Sequence, residues 1–122
     1  MDDLTEKVLG TAFAASNGLG AGLSEKVYER AMMLELAALG IRAESQVHFS
    51  VLYRGRSVGD YVADIVVEKR LLVELKCVEL LVGEFVYQCL NYLRASRLGV
   101  GLLINFAHPR VDWKRVVLEG DG

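Results

Sequence analysis

The sequence predicts an α/β protein with a mixed central sheet flanked by helices. Apolar residues recur at helical spacing in three segments, and five shorter segments have the apolar patterns typical of strands. Along the chain these segments follow the order α, α, β, β, β, α, β, β. Three sequential antiparallel strands, followed by a helix and a further strand, give a mixed sheet with helices on its faces.

Two helices are predicted at the N-terminus. Thr5 is expected to cap the first, which ends in the glycine-rich stretch 17–22. Ser24 is expected to start the second, and Gly40 to end it. The predicted apolar stripe of the second helix consists of residues at helical spacing, namely Val27, Ala31, Leu34 and Ala38.

Three strands follow in sequence. Residues 45–53 alternate as a first strand, and residues 54–57, rich in arginine and glycine, predict a hairpin turn. Residues 58–67 form the second predicted strand and residues 71–77 the third.

The C-terminal part supplies one helix and two strands. Residues 80–96 have apolar positions at helical spacing and predict the third helix. Residues 100–106 are continuously apolar, which is typical of a strand buried on both faces. Residues 114–118 predict a short last strand at the edge of the sheet.

Composition indicates a globular cytoplasmic protein. The 122 residues fit one domain, residues 1–122, and a hydrophobic content of 52% excludes the disordered class. A formal net charge of −2 argues against a protein that coats nucleic acid by charge alone, although it leaves room for a local basic groove. We find no signal peptide and no apolar run long enough to span a bilayer, and two cysteines make no disulfide framework.

Three charged residues interrupt two of the predicted strands. Asp64, Glu74 and Lys76 lie within thirteen residues, and a charge in an apolar strand costs free energy unless it is paired or binds a cation. If the turn is centred on Lys69, then Asp64 lies opposite Glu74, and alternation places all three on one face of the hairpin. Because opposed carboxylates repel, something positive is expected between them: a divalent metal, Lys76, or both.

These residues suggest a metal site. Asp64 and Glu74, with the backbone carbonyl of Leu75, can give oxygen ligands to one hard cation such as Mg²⁺. Lys76 could then orient a water or stabilise charge on a phosphate. The structural alternative is a salt bridge between Lys76 and one acid on a solvated face.

Two pairs of helical residues are further candidates. Gln88 and Tyr92, four apart, share a face of the third helix and could contact a phosphate or a base, or they could complete the polar boundary of the helix. Glu25 and Tyr28, three apart, share a face of the second helix. Glu25 also suits the positive end of a helix dipole, and Glu29 is expected to be solvated.

Taken together, five motifs resemble the GxxExxY family of small bacterial and archaeal proteins, which is grouped with the PD-(D/E)XK nuclease-like superfamily. The resemblance runs from about Leu4 to Val117 and implies a restriction-endonuclease-like αβββαβ core. The motifs are Gly22-Leu-Ser-Glu25-Lys-Val-Tyr28, Gly59-Asp-Tyr61-Val-Ala-Asp64, Val73-Glu74-Leu-Lys76, Gln88-Cys-Leu-Asn-Tyr92-Leu-Arg94 and Gly99-Val-Gly101-Leu-Leu-Ile-Asn105-Phe106.

The resemblance also implies roles. It puts Asp64 and Glu74 at the metal positions, Lys76 at the catalytic lysine, and Glu25 at an acid that the first core helix brings to the metal site. The remaining candidates for substrate contact are Gln88 and Tyr92, matching a QxxxY element, and Tyr28 of the first motif.

Two positions depart from the related sequences. Phe85 stands where related sequences often carry histidine, which questions a substrate contact at that position. Ala63 stands in place of the proline of the superfamily name.

We therefore expect a Mg²⁺- or Mn²⁺-dependent nuclease that hydrolyses phosphodiester bonds in DNA, with no membrane partner and with a homodimer as a plausible assembly. The alternative is a nucleic-acid- or protein-binding module that keeps the nuclease fold without turnover. Candidates for phosphate contact are basic residues of the turns and the third helix, namely Arg54, Arg56, Lys69, Arg70 and Arg94.

Overall fold

The computed structural model describes residues 1–119. It contains three helices and five strands in the predicted order, and the last three residues of the predicted domain lie outside the described part. The helices are α1 (Asp3–Leu19), α2 (Glu25–Ala38) and α3 (Gly83–Ser96). The strands are β1 (Ala43–Tyr53), β2 (Arg56–Val67), β3 (Leu71–Lys76), β4 (Val100–Asn105) and β5 (Asp112–Val117).

The strands form one sheet in the order β1-β2-β3-β4-β5. Only β3 and β4 pair in parallel, because α3 carries the chain across the sheet between them; the other neighbours are antiparallel. The predicted α/β class and mixed sheet are confirmed. The last strand is at an edge, as predicted.

Apolar side chains pack on both faces of this sheet. One buried cluster joins α1 and α2 to residues such as Ile65, Val73 and Ile104. The other joins α3 to residues such as Ala63 and Leu72. The sheet is therefore a middle layer, covered by α1 and α2 on one side and by α3 on the other.

The N-terminal helices differ in detail from the prediction. Asp2, and not Thr5, caps α1, because its carboxylate accepts a hydrogen bond of 2.7 Å from the backbone N–H of Thr5. Ser24 is the N-cap residue of α2, although its side chain makes no capping hydrogen bond.

The predicted apolar stripe of α2 is wrong. Leu34 is 75% exposed, whereas the residues that face the core are Tyr28, Met32 and Leu36. These three are four residues apart and form a second stripe beside the predicted one. Tyr28 decides which stripe is buried, because its ring stacks on that of Phe106, with centroids 4.1 Å apart.

None of the helices within residues 1–119 is long and apolar enough to cross a membrane. Both cysteines are free: Cys89 is buried, whereas Cys77 is half-buried.

Candidate active site

The two predicted metal-binding acids meet where β2 and β3 separate. The backbone pairing of these strands runs from Val67 opposite Leu71 to Ile65 opposite Val73, which confirms the predicted register, and Asp64 and Glu74 come next. Here the side-chain carboxylates, and not backbone carbonyls, accept the hydrogen bonds between the two strands. Asp64 Oδ2 accepts a hydrogen bond of 2.8 Å from the N–H of Leu75, and Glu74 Oε1 accepts one of 3.3 Å from the N–H of Asp64.

Asp64 does not share a face with Glu74 and Lys76 as predicted. The alternation of β2 is interrupted at this residue, since Ala63 packs beneath α3 and Ile65 packs beneath α1 and α2. Asp64 lines an opening beside α2. Gln46, opposite it on β1, has a φ of 54°, which is uncommon for a residue other than glycine. The two acids therefore approach each other from opposite sides of the gap between the strands.

Glu74 is held from the α3 side by two stacked tyrosines. The hydroxyl of Tyr61 donates a hydrogen bond to Glu74 Oε1, and the ring of Tyr61 stacks on that of Tyr92 with centroids 3.4 Å apart. Burial and the neighbouring Glu74 carboxylate raise the pKa of Tyr61 well above its usual range. Tyr61 therefore stays protonated and remains a hydrogen-bond donor.

Burial makes both carboxyl groups harder to ionise. Burial of Glu74, and then the negative charge of Asp64, raise the pKa of Glu74 to about 7. Burial likewise raises the pKa of Asp64, and the carboxylates of Glu29 and Glu25 add to the effect. Neither Asp64 nor Glu74 has an ion pair within 4.0 Å among residues 1–119.

The positive charge of Lys76 lowers the pKa of both acids. Its Nζ lies 4.9 Å from the centroid of the Phe85 ring, a cation–π contact. Within the described part of the chain it makes no ion pair with a carboxylate, so the structural alternative of a salt bridge is not formed. Phe85, at the position where related sequences often carry histidine, thus contacts the lysine.

Two further acids approach from α2. Glu25 Oε2 accepts a hydrogen bond of 3.3 Å from the N–H of Cys77. Glu29, one turn later on the same face, is only 5% exposed, so the prediction that it is solvated is wrong. Its carboxylate accepts hydrogen bonds from Lys26 at 3.2 Å and from Gln46 at 2.6 Å. The four-residue spacing of Glu25 and Glu29 was the signal in the sequence that could have indicated this.

Comparison with known proteins identifies the family of this chain. A model of the PD-(D/E)XK nuclease superfamily matches residues 2–116. The chain belongs to the PD-(D/E)XK nuclease superfamily. The match does not resolve the GxxExxY group within it.

Two solved structures share the fold of this superfamily member. SSO0001 is 16% identical, with a TM-score of 0.51, and the alignment covers 98% of this chain and 80% of that one. An alkaline exonuclease from Laribacter hongkongensis is 9% identical, with a TM-score of 0.51 and coverage of 93% and 81%. At these identities the likeness shows the fold alone, and it confirms the predicted nuclease core. No curated protein matches the sequence.

Tyr28, one of the predicted substrate contacts, is buried in this nuclease fold. Its hydroxyl donates to the carbonyl of Gly20 and accepts a hydrogen bond of 3.1 Å from the N–H of Leu23. Gly22, with a φ of 81°, donates to the carbonyl of Phe106 at 3.0 Å. These contacts fix the loop before α2 against the end of β4, and a substrate contact would require Tyr28 to leave the core.

The other two predicted substrate contacts, Gln88 and Tyr92, lie on α3. With Phe85 they form one row along α3, at positions i, i+3 and i+7. Phe85 contacts Lys76 and Tyr92 contacts Tyr61, so Gln88, which is exposed, lies between the two supports of the site.

The donor set fits a cation held by two acids. Among residues 1–119 no group of three or more His, Cys, Asp or Glu side chains is arranged to hold a metal, so the predicted set that includes Glu25 is not assembled. Asp64 Oδ1 and Glu74 Oε2 have no hydrogen-bond partner in this part of the chain. Since these residues contain no fully buried side-chain oxygen without a partner, neither oxygen is fully buried, although Glu74 as a whole is only 6% exposed. Mg²⁺ prefers few carboxylates and several waters, which such a pair would permit.

Proposed function

We propose that this protein is a Mg²⁺- or Mn²⁺-dependent nuclease that hydrolyses phosphodiester bonds in DNA. The observation that carries the proposal is the pairing of Asp64 and Glu74. Two carboxylates share a partly buried gap between strands, where burial raises the pKa of both and the charge of Asp64 raises that of Glu74 further. Membership of a nuclease superfamily supports the same conclusion.

Asp64 Oδ1 and Glu74 Oε2 would hold the metal. Within a strand, the N–H and the C=O of one residue point to the same neighbour. Since the N–H of Leu75 points to Asp64, its carbonyl also points into the gap between β2 and β3 and is a third candidate ligand. When bound, the cation would neutralise charge on the phosphate and lower the pKa of a water molecule.

Lys76 would act on the phosphate or on the attacking water. Its side chain is half-buried against Phe85, which limits the positions of the ammonium group, and it has no ion pair within the described residues that would have to break first. An ammonium held in this way can stabilise negative charge that develops during the displacement. Gln88, exposed on the same row of α3, is proposed to contact the substrate backbone.

The pKa of Glu74 gives the proposal a pH dependence. Metal ligands must be deprotonated, and this carboxyl has a pKa of about 7 before any cation is bound. At a limiting metal concentration, activity is expected to rise with pH through about 7, and a higher metal concentration is expected to move the rise to lower pH.

A cleavage assay tests the proposal. Single-stranded, duplex and branched DNA are incubated with Mg²⁺, Mn²⁺ or EDTA, using the wild type, Glu74→Gln, and Glu6→Gln as a control with the same chemical change at an exposed position of α1. Cleavage that requires metal and is lost only in Glu74→Gln supports a nuclease. Binding of DNA without metal-dependent cleavage of any substrate would instead favour a non-catalytic binding module.

A further inference from the structure

A cleft of about 520 Å³ lies between β1 and the C-terminal half of α3. Residues 50–52 of β1 form one wall. The other wall consists of α3 residues and the residue that ends the helix, namely Asn91, Arg94, Ala95 and Arg97. The lining contains two arginines and no acid.

Within residues 1–119 the arginines of this surface form no ion pair, and Asp60, which pairs with Ser50 from β2, contacts His48 instead. Arg94 Nη1 donates a hydrogen bond of 2.9 Å to the Asn91 side chain, and within residues 1–119 neither Arg94 nor Arg97 has an ion pair. The same holds for Arg54 and Arg56 at the tip of the adjoining β1–β2 hairpin. Four free guanidinium groups on this side contrast with the net charge of −2 for the whole chain, so the surface is suited to a polyanion.

The hairpin tip adds exposed apolar and aromatic surface. All residues from 50 to 60 are exposed, and Leu52, Tyr53 and Val58 are 58%, 62% and 64% exposed. The guanidinium of Arg54 lies 5.5 Å from the centroid of the Tyr53 ring. An exposed aromatic ring flanked by arginine is the kind of platform on which unpaired bases stack.

α3 connects this cleft to the candidate active site. Phe85, in its first turn, contacts Lys76, and Arg94 follows nine residues later in the same helix. At 1.5 Å and 100° per residue the two are about 14 Å apart along the helix axis and lie on opposite sides of the helix. With about 3.4 Å per nucleotide in a stacked strand, a strand that runs around the helix between them must span more than about four nucleotides.

We infer that this cleft and the hairpin tip bind a single strand of nucleic acid and lead it toward Asp64 and Glu74. Arg94 and Arg97 contact its phosphates, and Tyr53 stacks on a base. A duplex is disfavoured because its bases are already stacked and paired, and so cannot use the tyrosine. A second copy of the chain is a poorer occupant, since self-association through the tips would bring like charges together. The destination of the strand rests on the proposed nuclease function, but its binding does not.

Fluorescence anisotropy in EDTA tests the binding of the strand independently of the proposed nuclease function. A labelled single-stranded oligonucleotide and a duplex of the same sequence are titrated with protein over a range of salt concentrations. The wild type is expected to prefer the single strand. Arg94→Ala/Arg97→Ala is expected to reduce the slope of log affinity against log salt by about 1.4, at about 0.7 for each phosphate contact. Lys7→Ala/Arg30→Ala, which removes the same charge from exposed positions of α1 and α2, should leave the slope unchanged.

Tyr53→Ala tests the stacking contribution. We expect affinity for the single strand to fall about fivefold or more with an unchanged salt slope, because stacking releases no counterions. The inference is overturned if the arginine variant binds like the wild type, if duplex is preferred, or if Tyr53→Ala alters only the sedimentation of the protein. If the variants lose binding but the wild type cleaves no substrate, this inference is supported and the proposed nuclease function is rejected. If the wild type cleaves DNA but the variants bind as the wild type does, the nuclease function is supported and this inference is rejected.

Discussion

Replacing Glu74 with glutamine is expected to stabilise the metal-free protein at alkaline pH. Tyr61 and the backbone N–H of Asp64 both donate to Oε1 of Glu74, and an amide oxygen can accept both bonds. The amide nitrogen would take the place of Oε2, which is not fully buried. The substitution therefore removes the charge while keeping the hydrogen bonds of the side chain.

The magnitude of this stabilisation follows from the pKa shift of Glu74. An exposed glutamate has a pKa of 4.5, whereas Glu74 in the folded protein has a pKa of about 7. Between these values the folded state binds more protons than the unfolded state, so the free energy of unfolding falls as pH rises. Above about pH 7 the loss is complete and amounts to about 3 kcal/mol, at 1.36 kcal/mol per pKa unit. Glutamine does not ionise and escapes this loss.

Urea unfolding in EDTA at pH 5 and pH 8 measures the effect. At pH 8 Glu74→Gln should be more stable than the wild type by up to about 3 kcal/mol, or about 10 °C in Tm for a chain of this size. At pH 5 the difference should fall to about 1 kcal/mol or less, and Glu6→Gln should match the wild type at both values. Equal or lower stability of Glu74→Gln at pH 8 would refute the view that the acid is held in an electrostatically unfavourable place.

Three further predictions concern the site and its support. Mn²⁺ at one hundred times its Kd should stabilise the wild type by about 2.7 kcal/mol in thermal unfolding, and this gain should disappear in Asp64→Asn; a gain that persists would contradict the metal site. Tyr61→Phe removes a donor to the Glu74 carboxylate and should cost about 2 kcal/mol in urea unfolding at pH 8 and less at pH 5, whereas an equal cost at both would indicate lost packing alone. Gly101→Ala should cost about 1–3 kcal/mol because its Cβ would lie 2.9 Å from a buried thiol beneath α3, while Gly99→Ala, whose added methyl would meet no atom within 4 Å in the described part of the chain, should be neutral; equal effects would contradict this close packing.

The sheet was predictable from the sequence because its signals are local. The apolar strands and their turns fix the order of the elements, and a turn centred on Lys69 fixes the register of β2 and β3. The common face of Glu74 and Lys76 follows from the two-residue alternation of a strand, whereas its position under α3 is set by tertiary packing.

The environment of the acids was less predictable, because it depends on contacts between distant elements. α2 carries two apolar stripes, and only the stacking of Tyr28 on Phe106 selects the buried one. That choice also buries Glu29, which then accepts a hydrogen bond from Gln46 on β1. The broken alternation that turns Asp64 away from the face of Glu74 has no local sequence signal that we could identify.

Cleavage by a Lys76→Ala variant tests the central claim most directly. Labelled single-stranded and duplex DNA are incubated with Mg²⁺ or Mn²⁺, and product formation is compared with that of the wild type and of an EDTA control. We predict metal-dependent cleavage by the wild type and a loss of about 100-fold or more in Lys76→Ala, with the Mn²⁺-induced rise in Tm retained. Undiminished cleavage by Lys76→Ala, or no cleavage of any substrate by the wild type, would contradict the account.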